Sequence, residues 1–580
     1  MLLHGRRGIV LVRPRSYARA ERPTVKTLLR ASLLVPLFVA ACLPTVAQEA
    51  PEARPEPSLL RRYLDASGSE RADLKKQLLA LGAEGLQKQI AALEFRAPDK
   101  QGVVKLTTRC PDGFDRPFWV YVPEKYDHRK SYPLLVCMHG GVGGAPLDET
   151  EDTPAYGENS LKYFTEYWGE AWKSEVVLLG VSAGVPETHE DAMWWRNAGQ
   201  QNVLHMVQQT RRLLNIDDDR IFATGHSDGG SGTFGFAARR PDAFAGFFPM
   251  CGHPLVPHSM GATVWLENLK GLPVYAFNGT DDRLYPAAQV TPVYDQANKL
   301  GAKIEYNAVA KLGHAVGPAL PTEVPKFLDS YVAKVRRTLP NEVDWTTDSA
   351  DTGRRAWIAV DALYDLGAHN AVAENAAIQT PGRRVRLGVQ LSQEVEEPTV
   401  DSVVAGSNAE QMGIKEGDVI LKLDDTKVAS VDDLLAALGN KAPGDAVTIV
   451  VKRDGKEETL KGSFAKTEQR AETPSALAAR VSAAMAPGKV TLRVRNAAKL
   501  TVWVLPEMLD AEGKLKVVLV DAKGTEHVLA EHKVIADPAV ILEQFEQGYD
   551  RRRVFIGRIE LDVAGKLGVK TVPQQEDDEF

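Results

Sequence analysis

The sequence is poor in cysteine, with 4 among 580 residues. Only Cys110, Cys137 and Cys251 follow the N-terminal region, and no two of them are close along the chain. An odd number without paired spacing argues against a disulfide framework and against a cysteine-based zinc site. Cys137 and Cys251 lie in or beside apolar runs and are predicted to be small buried side chains.

The sequence also lacks an excess of positive charge. Its formal net charge at pH 7 is -7 and its pI is about 6.0, and no dense Lys/Arg stripe occurs beyond the N-terminal region. A basic field is what attracts a phosphate backbone, so nucleic acid is not expected as a partner. With 44% hydrophobic and 25% charged residues, the composition is typical of a folded protein with several domains.

A long hydrophobic run is absent as well, because the apolar stretch at residues 33–43 is too short to span a bilayer. Basic residues precede it and small residues follow it, which is typical of an export signal in residues 1–50. The sequence VAAC at 39–42 resembles a bacterial lipobox, which would place a lipid on Cys42, whereas cleavage after Ala47 is the alternative. We expect an exported protein that is periplasmic, extracellular or a cell-surface lipoprotein, with membrane attachment only through that lipid.

Strand-like and helix-like segments alternate over residues 100–338, after a proline-rich linker and one or two amphipathic helices in residues 51–99. Continuous apolar strands between amphipathic helices indicate a mostly parallel sheet covered on both faces. We therefore predict a doubly wound α/β domain. Its strand-like runs are residues 118–122, 133–138, 176–181, 221–224, 245–249, 274–277 and 304–309.

Polar residues follow several of these strands at their carboxyl ends, where the sites of doubly wound sheets lie. Ser227 lies in GHSDGG at 225–230, between a strand-like and a helix-like segment, which is the setting of a nucleophile elbow. Asp281 and Asp282 follow the strand at 274–277, and His314 follows the strand at 304–309. The three segments therefore bring together candidates for a nucleophile, an acid and a base.

A glycine-rich loop, HGGVGG at 139–144, follows the strand at 133–138. The backbone N–H of Gly140 or Gly141, together with that of Asp228, is predicted to form an oxyanion hole. We expect His139 and His226 to be structural residues of this loop and of the elbow.

Four ordered motifs, PLLVCMHGG, RIFATGHSDGG, FNGTDDRLYP and LGH, make residues 100–338 resemble the α/β-hydrolase superfamily, most closely its feruloyl-esterase and polyhydroxybutyrate-depolymerase-like branch. In that family a two-residue gap and a hydrophobic-Pro pair follow the acid, which implies Asp282 rather than Asp281. The resemblance implies Ser227 as nucleophile and His314 as general base. It also implies carboxylic ester substrates, such as polymer-linked feruloyl, acetyl or hydroxyalkanoate groups, and no metal or organic cofactor.

Residues 384–466 resemble a bacterial PDZ domain through RVRLGV at 384–389, NAEQMGIKEGDVI at 408–420 and VDDLLAAL at 431–438. Such domains add a peptide or protein C-terminus as an extra strand. The resemblance implies that N–H groups around Leu387, Gly388 and Val389 hold the terminal carboxylate, and that Leu434 or Leu438 lines the pocket. A degenerate module that serves only as a spacer is the alternative.

Residues 339–383 and 486–565 are predicted to form one small β-rich accessory domain with the PDZ-like segment looped out of it, and residues 566–580 a disordered acidic tail. Trp194 and Trp195 leave two interpretations open, a platform for substrate or core packing. The aspartates at 217–219 are predicted to form a solvated turn, because no further metal-ligand spacing follows them.

The sequence thus favours an exported serine esterase whose PDZ module binds a partner. Two rival interpretations stay open. One is a non-catalytic PDZ interaction protein with an inert hydrolase fold. The other is a serine peptidase of the prolyl-oligopeptidase kind, although no repeat of blade length indicates the propeller that usually accompanies it.

Overall fold

Three short helices begin the part of the chain that the structure describes. This computed structural model describes residues 57–142, 156–183, 192–364, 385, 387–392, 397–404, 406–439, 441, 444–464 and 478–567. The predicted export signal with Cys42 lies outside these ranges, as do residues 568–580 of the acidic tail predicted for 566–580, whose first two residues instead end the last helix. The first helices are α1 (Leu59–Asp65), α2 (Gly68–Ala80) and α3 (Gly82–Ala91). The Ser58 hydroxyl accepts a hydrogen bond from the Arg61 N–H at 3.2 Å and so caps α1.

An eight-stranded sheet is the largest layer of the fold. Its strands are β1 (Gly102–Arg109), β2 (Asp115–Val122), β3 (Tyr132–Met138), β4 (Val177–Val181), β5 (Ile216–His226), β6 (Gly246–Met250), β7 (Pro273–Gly279) and β8 (Lys303–Val309). They are ordered β1-β2-β4-β3-β5-β6-β7-β8. The pairs β1/β2 and β2/β4 are antiparallel, and all the other neighbours are parallel. The parallel strands therefore end at one common edge.

Helices cover both faces of this sheet. They are α4 (Tyr156–Thr165), α5 (Gly169–Lys173), α6 (Asn197–Leu213), α7 (Asp228–Arg239), α8 (Val256–Ser259), α9 (Ala287–Lys299) and α10 (Leu320–Phe327). Alternate residues of β3 face opposite sides: Leu134 and Val136 pack in a cluster with α6, α7 and α9, whereas Leu135 and Cys137 pack in a cluster with α4 and α10. Burial on both faces explains why the strand reads as a continuous apolar run.

The predicted fold class is confirmed, and each predicted strand of residues 100–338 overlaps an observed one. The sequence reading missed β1. Its side chains alternate between exposed and half-buried along the whole strand, because β1 lies at the edge of the sheet. A search for continuous apolar runs does not detect such a strand. Strand β5 also begins before residue 221, where the sequence predicts its start, because the acidic residues at 217–219 look like a turn.

The remaining elements belong to the accessory region and the PDZ-like segment. The first strands are β9 (Glu342–Thr347), β10 (Arg354–Arg355) and β11 (Ile358–Leu363). The PDZ-like segment contains β12 (Val389–Leu391), β13 (Val400–Val403), α11 (Asn408–Met412), β14 (Val419–Leu423), β15 (Thr426–Lys427), α12 (Val431–Gly439), β16 (Ala446–Arg453) and β17 (Lys456–Ser463). The chain continues with β18 (Ala479–Ala486), β19 (Lys489–Arg495), β20 (Ala497–Val504), β21 (Lys514–Val520), β22 (Glu526–Lys533), α13 (Pro538–Gly548), β23 (Gly557–Asp562) and α14 (Val563–Leu567).

Strands from before and after the PDZ-like segment pair with one another. One sheet has the order β22-β21-β19-β18-β9 and another the order β10-β11-β20-β23. In these sheets β9 pairs antiparallel with β18, and β11 pairs antiparallel with β20. Because β18 begins at Ala479, the strand starts ahead of residue 486, where the sequence reading placed the second part of the accessory region.

The accessory sheets and the N-terminal helices share one core. Leu60 of α1 and Leu86 of α3 lie in the same buried cluster as Trp345, Trp357 and Phe545. Helices α1–α3 are thus part of the accessory domain in space, although the eight-stranded sheet separates them from it in sequence. Among the described helices, none combines the length and the apolar character needed to cross a lipid bilayer.

The aspartates at 217–219 lie in β5 and join the eight-stranded sheet to the accessory domain, so their prediction as a solvated turn is wrong. Asp218 is 2% exposed, and its carboxylate accepts hydrogen bonds from Arg211 at 2.6 and 2.9 Å. It also accepts two bonds from Arg551 of the accessory domain, from the backbone N–H and from Nε, each at 3.1 Å. The acidic residues therefore provide the counter-charges for arginines that arrive from a distant part of the chain.

Replacement of Asp218 by Ala is predicted to weaken the junction between the two domains. The change leaves Arg211 without its closest carboxylate, and breaking a buried ion pair in this way costs about 3–5 kcal/mol. We expect a lower midpoint of urea unfolding, measured by circular dichroism. Asp73→Ala, which removes an exposed pair with Lys76, should leave the midpoint unchanged. Equal midpoints for Asp218→Ala and the unaltered protein would show that the network does not hold the domains.

Candidate active site

Ser227 lies on a sharp turn between β5 and α7. Its backbone has φ 60° and ψ -119°, a conformation that costs energy for a residue other than glycine. The turn fits only because its neighbours lack side chains. A Cβ on Gly229 would lie 2.1 Å from the Met138 carbonyl oxygen, and one on Gly225 would lie 2.6 Å from the same atom. The glycines thus allow β3 and α7 to approach closely enough to present the serine at the edge of the sheet.

His314 and Asp282 extend from Ser227 in a continuous hydrogen-bonded chain. The Nε2 atom of His314 is 2.9 Å from Ser227 Oγ, and its Nδ1 atom is 2.9 Å from Asp282 Oδ2. Ser227 follows β5, Asp282 follows β7 and His314 follows β8. The three side chains, far apart in sequence, therefore meet at the carboxyl edge of the parallel strands.

Asp282 is held in position by more than the histidine. Its Oδ1 atom accepts hydrogen bonds from the N–H groups of Leu284 and Tyr285, each at 2.8 Å. Burial alone would raise the pKa of this carboxyl group, but the hydrogen bonds from His314 and from the two N–H groups outweigh burial and lower it. Asp282 is therefore a carboxylate near neutral pH, and it can hold the Nδ1–H tautomer of His314. Its neighbour Asp281 is exposed and contacts Thr280 instead.

His226 holds the backbone of His314. Its Nε2 atom lies 2.8 Å from the His314 carbonyl oxygen and its Nδ1 atom lies 3.2 Å from the Tyr163 hydroxyl. This arrangement fits a neutral ring that donates from Nε2 and accepts at Nδ1. Burial lowers the pKa of His226 to about 4, which keeps the ring neutral. The sequence reading assigned His226 to the packing of the elbow but missed Tyr163, which no motif marks.

The glycine-rich loop after β3 lies beside the serine. A Cβ on Gly140 would be 3.1 Å from Ser227 Cβ and 3.6 Å from Oγ, so the backbone of this residue faces the hydroxyl. Gly141 has φ 81°, a conformation that favours glycine. Asp228 is the first residue of α7, and the N–H groups of a first helical turn have no acceptor within the helix. Asp228 thus follows Ser227 in the chain and Gly140 lies beside it in space, whereas a Cβ on Gly141 would meet no atom within 4 Å.

His139 holds the glycine-rich loop through contacts of both ring nitrogens. Its Nδ1 atom lies 2.8 Å from the Gly140 carbonyl oxygen, and its Nε2 atom accepts a bond from the Ala183 N–H at 3.3 Å. Burial lowers the pKa of His139 to about 4. Trp194 donates from Nε1 to the His139 carbonyl oxygen at 2.9 Å and is 1% exposed. Trp194 and the fully buried Trp195 therefore support the site as core residues, and the alternative of a substrate platform is excluded for both.

The predicted peptide-binding residues of the PDZ-like segment lie around β12 and α12. Leu387 and Leu434 are 3% and 1% exposed and belong to the core of this segment, whereas Leu438 is 9% exposed. Gly388 has φ 86°, and a Cβ there would lie 2.3 Å from Ser407 Cβ, so only glycine fits. Val389 begins β12, which pairs with β13. The loop before β12 and the helix α12 are thus both present.

A metal site has no support in the described residues, where no group of three or more His, Cys, Asp or Glu side chains is arranged to hold an ion. Cys110, Cys137 and Cys251 are all buried thiols.

Comparison with known proteins identifies a PDZ domain. It also finds solved structures that are named as esterases and peptidases. The PDZ domain model named PDZ_2 matches residues 385–462. A serine protease Do-like HtrA from Lactococcus lactis is 42% identical over 76 residues, which are 13% of this chain and 19% of that protein. The chain thus spans about a fifth of the length of this curated relative.

Solved structures overlap the chain more widely but at low identity. A thermostable esterase is 21% identical, with a TM-score of 0.33, and the match covers 40% of this chain and 63% of that one. The acylaminoacyl peptidase of Pyrococcus horikoshii is 16% identical, with a TM-score of 0.32, and covers 40% of this chain and 42% of that one. The strand order and the elbow at Ser227 nevertheless define the fold directly. The chain therefore combines a domain with the α/β-hydrolase fold, a PDZ domain and a β-rich accessory region.

Proposed function

We propose that the protein is an exported serine hydrolase that cleaves carboxylic esters through an acyl-enzyme. The observation that carries this proposal is the hydrogen-bonded chain from Asp282 through His314 to Ser227, with 2.9 Å at each contact of the histidine. A hydroxyl with a base at this distance can lose its proton as it attacks a carbonyl carbon.

In the first half of the reaction, Ser227 Oγ attacks the ester carbonyl while its proton passes to His314 Nε2. Asp282 stabilises the resulting imidazolium through Nδ1–H. The carbonyl oxygen gains negative charge, which the N–H groups of Asp228 and of Gly140 or Gly141 stabilise by roughly 3–4 kcal/mol per donor. His314 then returns the proton to the leaving alcohol, and the acyl group stays on Ser227.

In the second half, water replaces the alcohol. His314 takes a proton from water as its oxygen attacks the acyl carbon, and Ser227 leaves with that proton restored. The products are a carboxylic acid and the regenerated enzyme, and no step requires a metal or an organic cofactor. The substrates that we favour are acyl groups on polymers, such as feruloyl, acetyl or hydroxyalkanoate esters, because of the four ordered motifs in residues 100–338.

A serine peptidase would use the same three side chains, so the preference for esters has to be tested by substrate. An inert hydrolase fold that serves only PDZ-mediated binding is the other alternative. Three features argue against inertness, namely the strained serine, the base in contact with it and the ordered carboxylate. Backbone strain at a single residue persists where the surrounding structure enforces it, and it is concentrated at functional sites.

For export, we propose the signal in residues 1–50 as the route out of the cytoplasm, with Cys42 as a site of lipid attachment or Ala47 as the last residue removed. For the PDZ domain, we propose that it binds the C-terminus of a peptide or protein partner as a strand alongside β12.

The catalytic assignment predicts opposite results for two adjacent aspartates. Asp282→Asn should lower kcat for ester hydrolysis by about 10⁴-fold, because the histidine loses the partner that fixes its tautomer. Asp281→Asn, the matched control at an exposed position, should stay within about twofold of the unaltered protein. The measurement is hydrolysis of a panel of acetyl, feruloyl and hydroxyalkanoate esters, with peptide substrates in parallel.

Labelling by a fluorophosphonate probe tests the nucleophile independently of the substrate. The folded protein should be labelled at Ser227, as mapped by mass spectrometry, and Ser227→Ala should not react. Peptide cleavage without ester cleavage would favour the peptidase. No labelling of the folded protein at Ser227 would leave PDZ-mediated binding as the better explanation of the chain.

The contact between His226 and the His314 carbonyl predicts a positioning role. His226→Gln keeps a donor near the place of Nε2, whereas His226→Phe keeps only the ring. We expect His226→Phe to lower kcat about tenfold with KM nearly unchanged, and His226→Gln to restore most of the loss, because small displacements of a base impair attack. Equal losses for both variants would argue against positioning through this hydrogen bond.

The same residue makes stability sensitive to acid. The pKa of His226 is about 4 in the folded protein, below the ordinary value of 6.5, so the unfolded chain binds more protons between these pH values. Stability is therefore fully present above pH 6.5 and decreases as the pH falls toward 4, by about 3 kcal/mol for this residue. Denaturant unfolding measured across this interval should show a shallower loss for His226→Gln. Parallel pH profiles for the two proteins would contradict this prediction.

The proposed PDZ function predicts that a peptide ending in a hydrophobic residue binds through its carboxylate. Its affinity, measured by titration calorimetry, should fall at least about tenfold when the carboxylate is amidated. Gly388→Ala should also weaken binding, because the added methyl group meets Ser407 in a strained backbone conformation. Fluorophosphonate labelling of the Gly388→Ala variant should be unaffected, which verifies that the hydrolase domain is folded. Equal affinities for the acid and the amide would leave the domain as a spacer.

A further inference from the structure

A cavity of about 330 Å³ lies where the hydrolase domain meets the accessory domain, on residues that the proposed reaction does not use. Six arginines and three aspartates line it, so positive charge is in excess. The arginines come from α6, from the end of α7, from the segment before β9, from β10 and from the segment before β23. They are Arg211, Arg239, Arg240, Arg337, Arg354 and Arg553.

The three aspartates of the cavity are already engaged. Asp550 accepts from Arg337 at 2.5 Å and lies 3.6 Å from Arg211. Asp242 accepts from Arg355 and from the Ala356 N–H, and Asp351 accepts from the Asn197 side chain at 2.9 Å. Carboxylates outside the cavity also pair with three of its arginines: Asp218 with Arg211, Asp219 with Arg337 and Asp348 with Arg239. Among the described residues, Arg240, Arg354 and Arg553 form no ion pair, so the positive charge of these three is the part that lacks a counter-charge.

Four buried guanidinium N–H groups around the cavity find no acceptor in the described part of the chain. They are Nε of Arg239, Nη2 of Arg240, Nε of Arg337 and Nη2 of Arg553. The Arg239 and Arg337 side chains are 8% and 5% exposed, so water reaches them little. A buried donor without an acceptor is costly. These four N–H groups are not accessible to a water-sized molecule, so they mark side chains of the cavity whose charge is poorly compensated rather than direct contacts for a ligand.

The pKa values of two of these arginines agree with a lack of compensating charge. Burial lowers the pKa of Arg240 to about 10, and burial together with the positive charge of Arg337 lowers that of Arg553 to about 10. A group shows such a shift where its charged form lacks compensation. A negative charge bound in this cavity would compensate the charged guanidinium groups.

We propose that this cavity is a binding site for a small organic anion that carries at least two negative charges on phosphate or carboxylate oxygens. Guanidinium groups present paired donors in a plane that matches both kinds of oxyanion. The volume is within the range of sites for small molecules. Because Arg239, Arg240 and Arg337 come from the hydrolase domain and Arg354 and Arg553 from the accessory domain, a bound anion would hold the two domains together.

A neighbouring cavity of about 600 Å³ gives such a ligand room to extend. Asp242, Arg337 and Arg553 line both cavities, and the second adds both basic residues, among them Lys270 and Arg493, and the acidic residues Glu342 and Asp344. The uncharged part of a phosphate ester or a polycarboxylate can thus lie along the domain junction while its oxyanion contacts the arginines.

Thermal unfolding of the full chain tests the site. We expect 5 mM pyrophosphate or citrate to raise the Tm by about 2–4 °C. This concentration is about 100 times a dissociation constant near 50 μM. Sodium chloride at matched ionic strength should not do so. A rise with pyrophosphate alone supports a phosphate ligand and a rise with citrate alone supports a carboxylate ligand. No rise with either anion, together with no heat of binding in titration calorimetry, would overturn the proposal.

Variants separate the cavity from general charge effects. Arg553→Gln and Arg240→Gln each remove one of the buried donors without an acceptor, so the protein alone should be as stable as before or more stable. Each should weaken anion binding at least about fivefold. Arg129→Gln removes an equal charge at an exposed position and should bind like the unaltered protein. If one cavity variant fails to fold, the other decides, and unchanged affinity in the folded variant would contradict the assignment. Fluorophosphonate labelling of Ser227 is measured in every variant. It reports on the proposed reaction separately from anion binding in the cavity.

Discussion

Parallel strands that end at one edge of a single sheet are the constraint on which the candidate site depends. The loop after β3 brings Gly140 to this edge, the turn after β5 brings Ser227, and the segments after β7 and β8 bring Asp282 and His314. The elbow can be this sharp only because Gly225 and Gly229 let α7 pack against the end of β3. Around it, His226 holds the His314 backbone and His139 holds the glycine-rich loop. The packing that holds the sheet together therefore also sets the geometry of the site.

Much of this arrangement could be predicted from the sequence because it depends on local patterns. Continuous apolar runs identified the buried strands, and the residue types that follow them named the serine, the acid and the base. The choice between Asp281 and Asp282 needed a family resemblance, and the structure places only Asp282 on His314. The catalytic roles of these three side chains stay predictions.

What the sequence did not indicate depends on partners that are distant along the chain. Asp218 looks like part of an acidic turn until Arg551 reaches it from the accessory domain. Tyr163 carries no motif, yet its hydroxyl contacts His226 from α4. The sequence is equally compatible with Trp194 at the surface and in the core. In the structure, its indole N–H donates to the His139 carbonyl oxygen. Periodicity reports which face of an element is buried, but not against which residue.

The insertion of the PDZ domain has a topological consequence. Its first connection leads back to β11 and its second leads on to β18, and both strands belong to the paired accessory sheets. A single cut in either connection would leave the module attached through the other, because each half of the accessory domain is held by its partner strands. Release of the PDZ domain by proteolysis would require two cuts, so a protease that nicks one connection changes the covalent chain without separating the PDZ domain from the α/β domain.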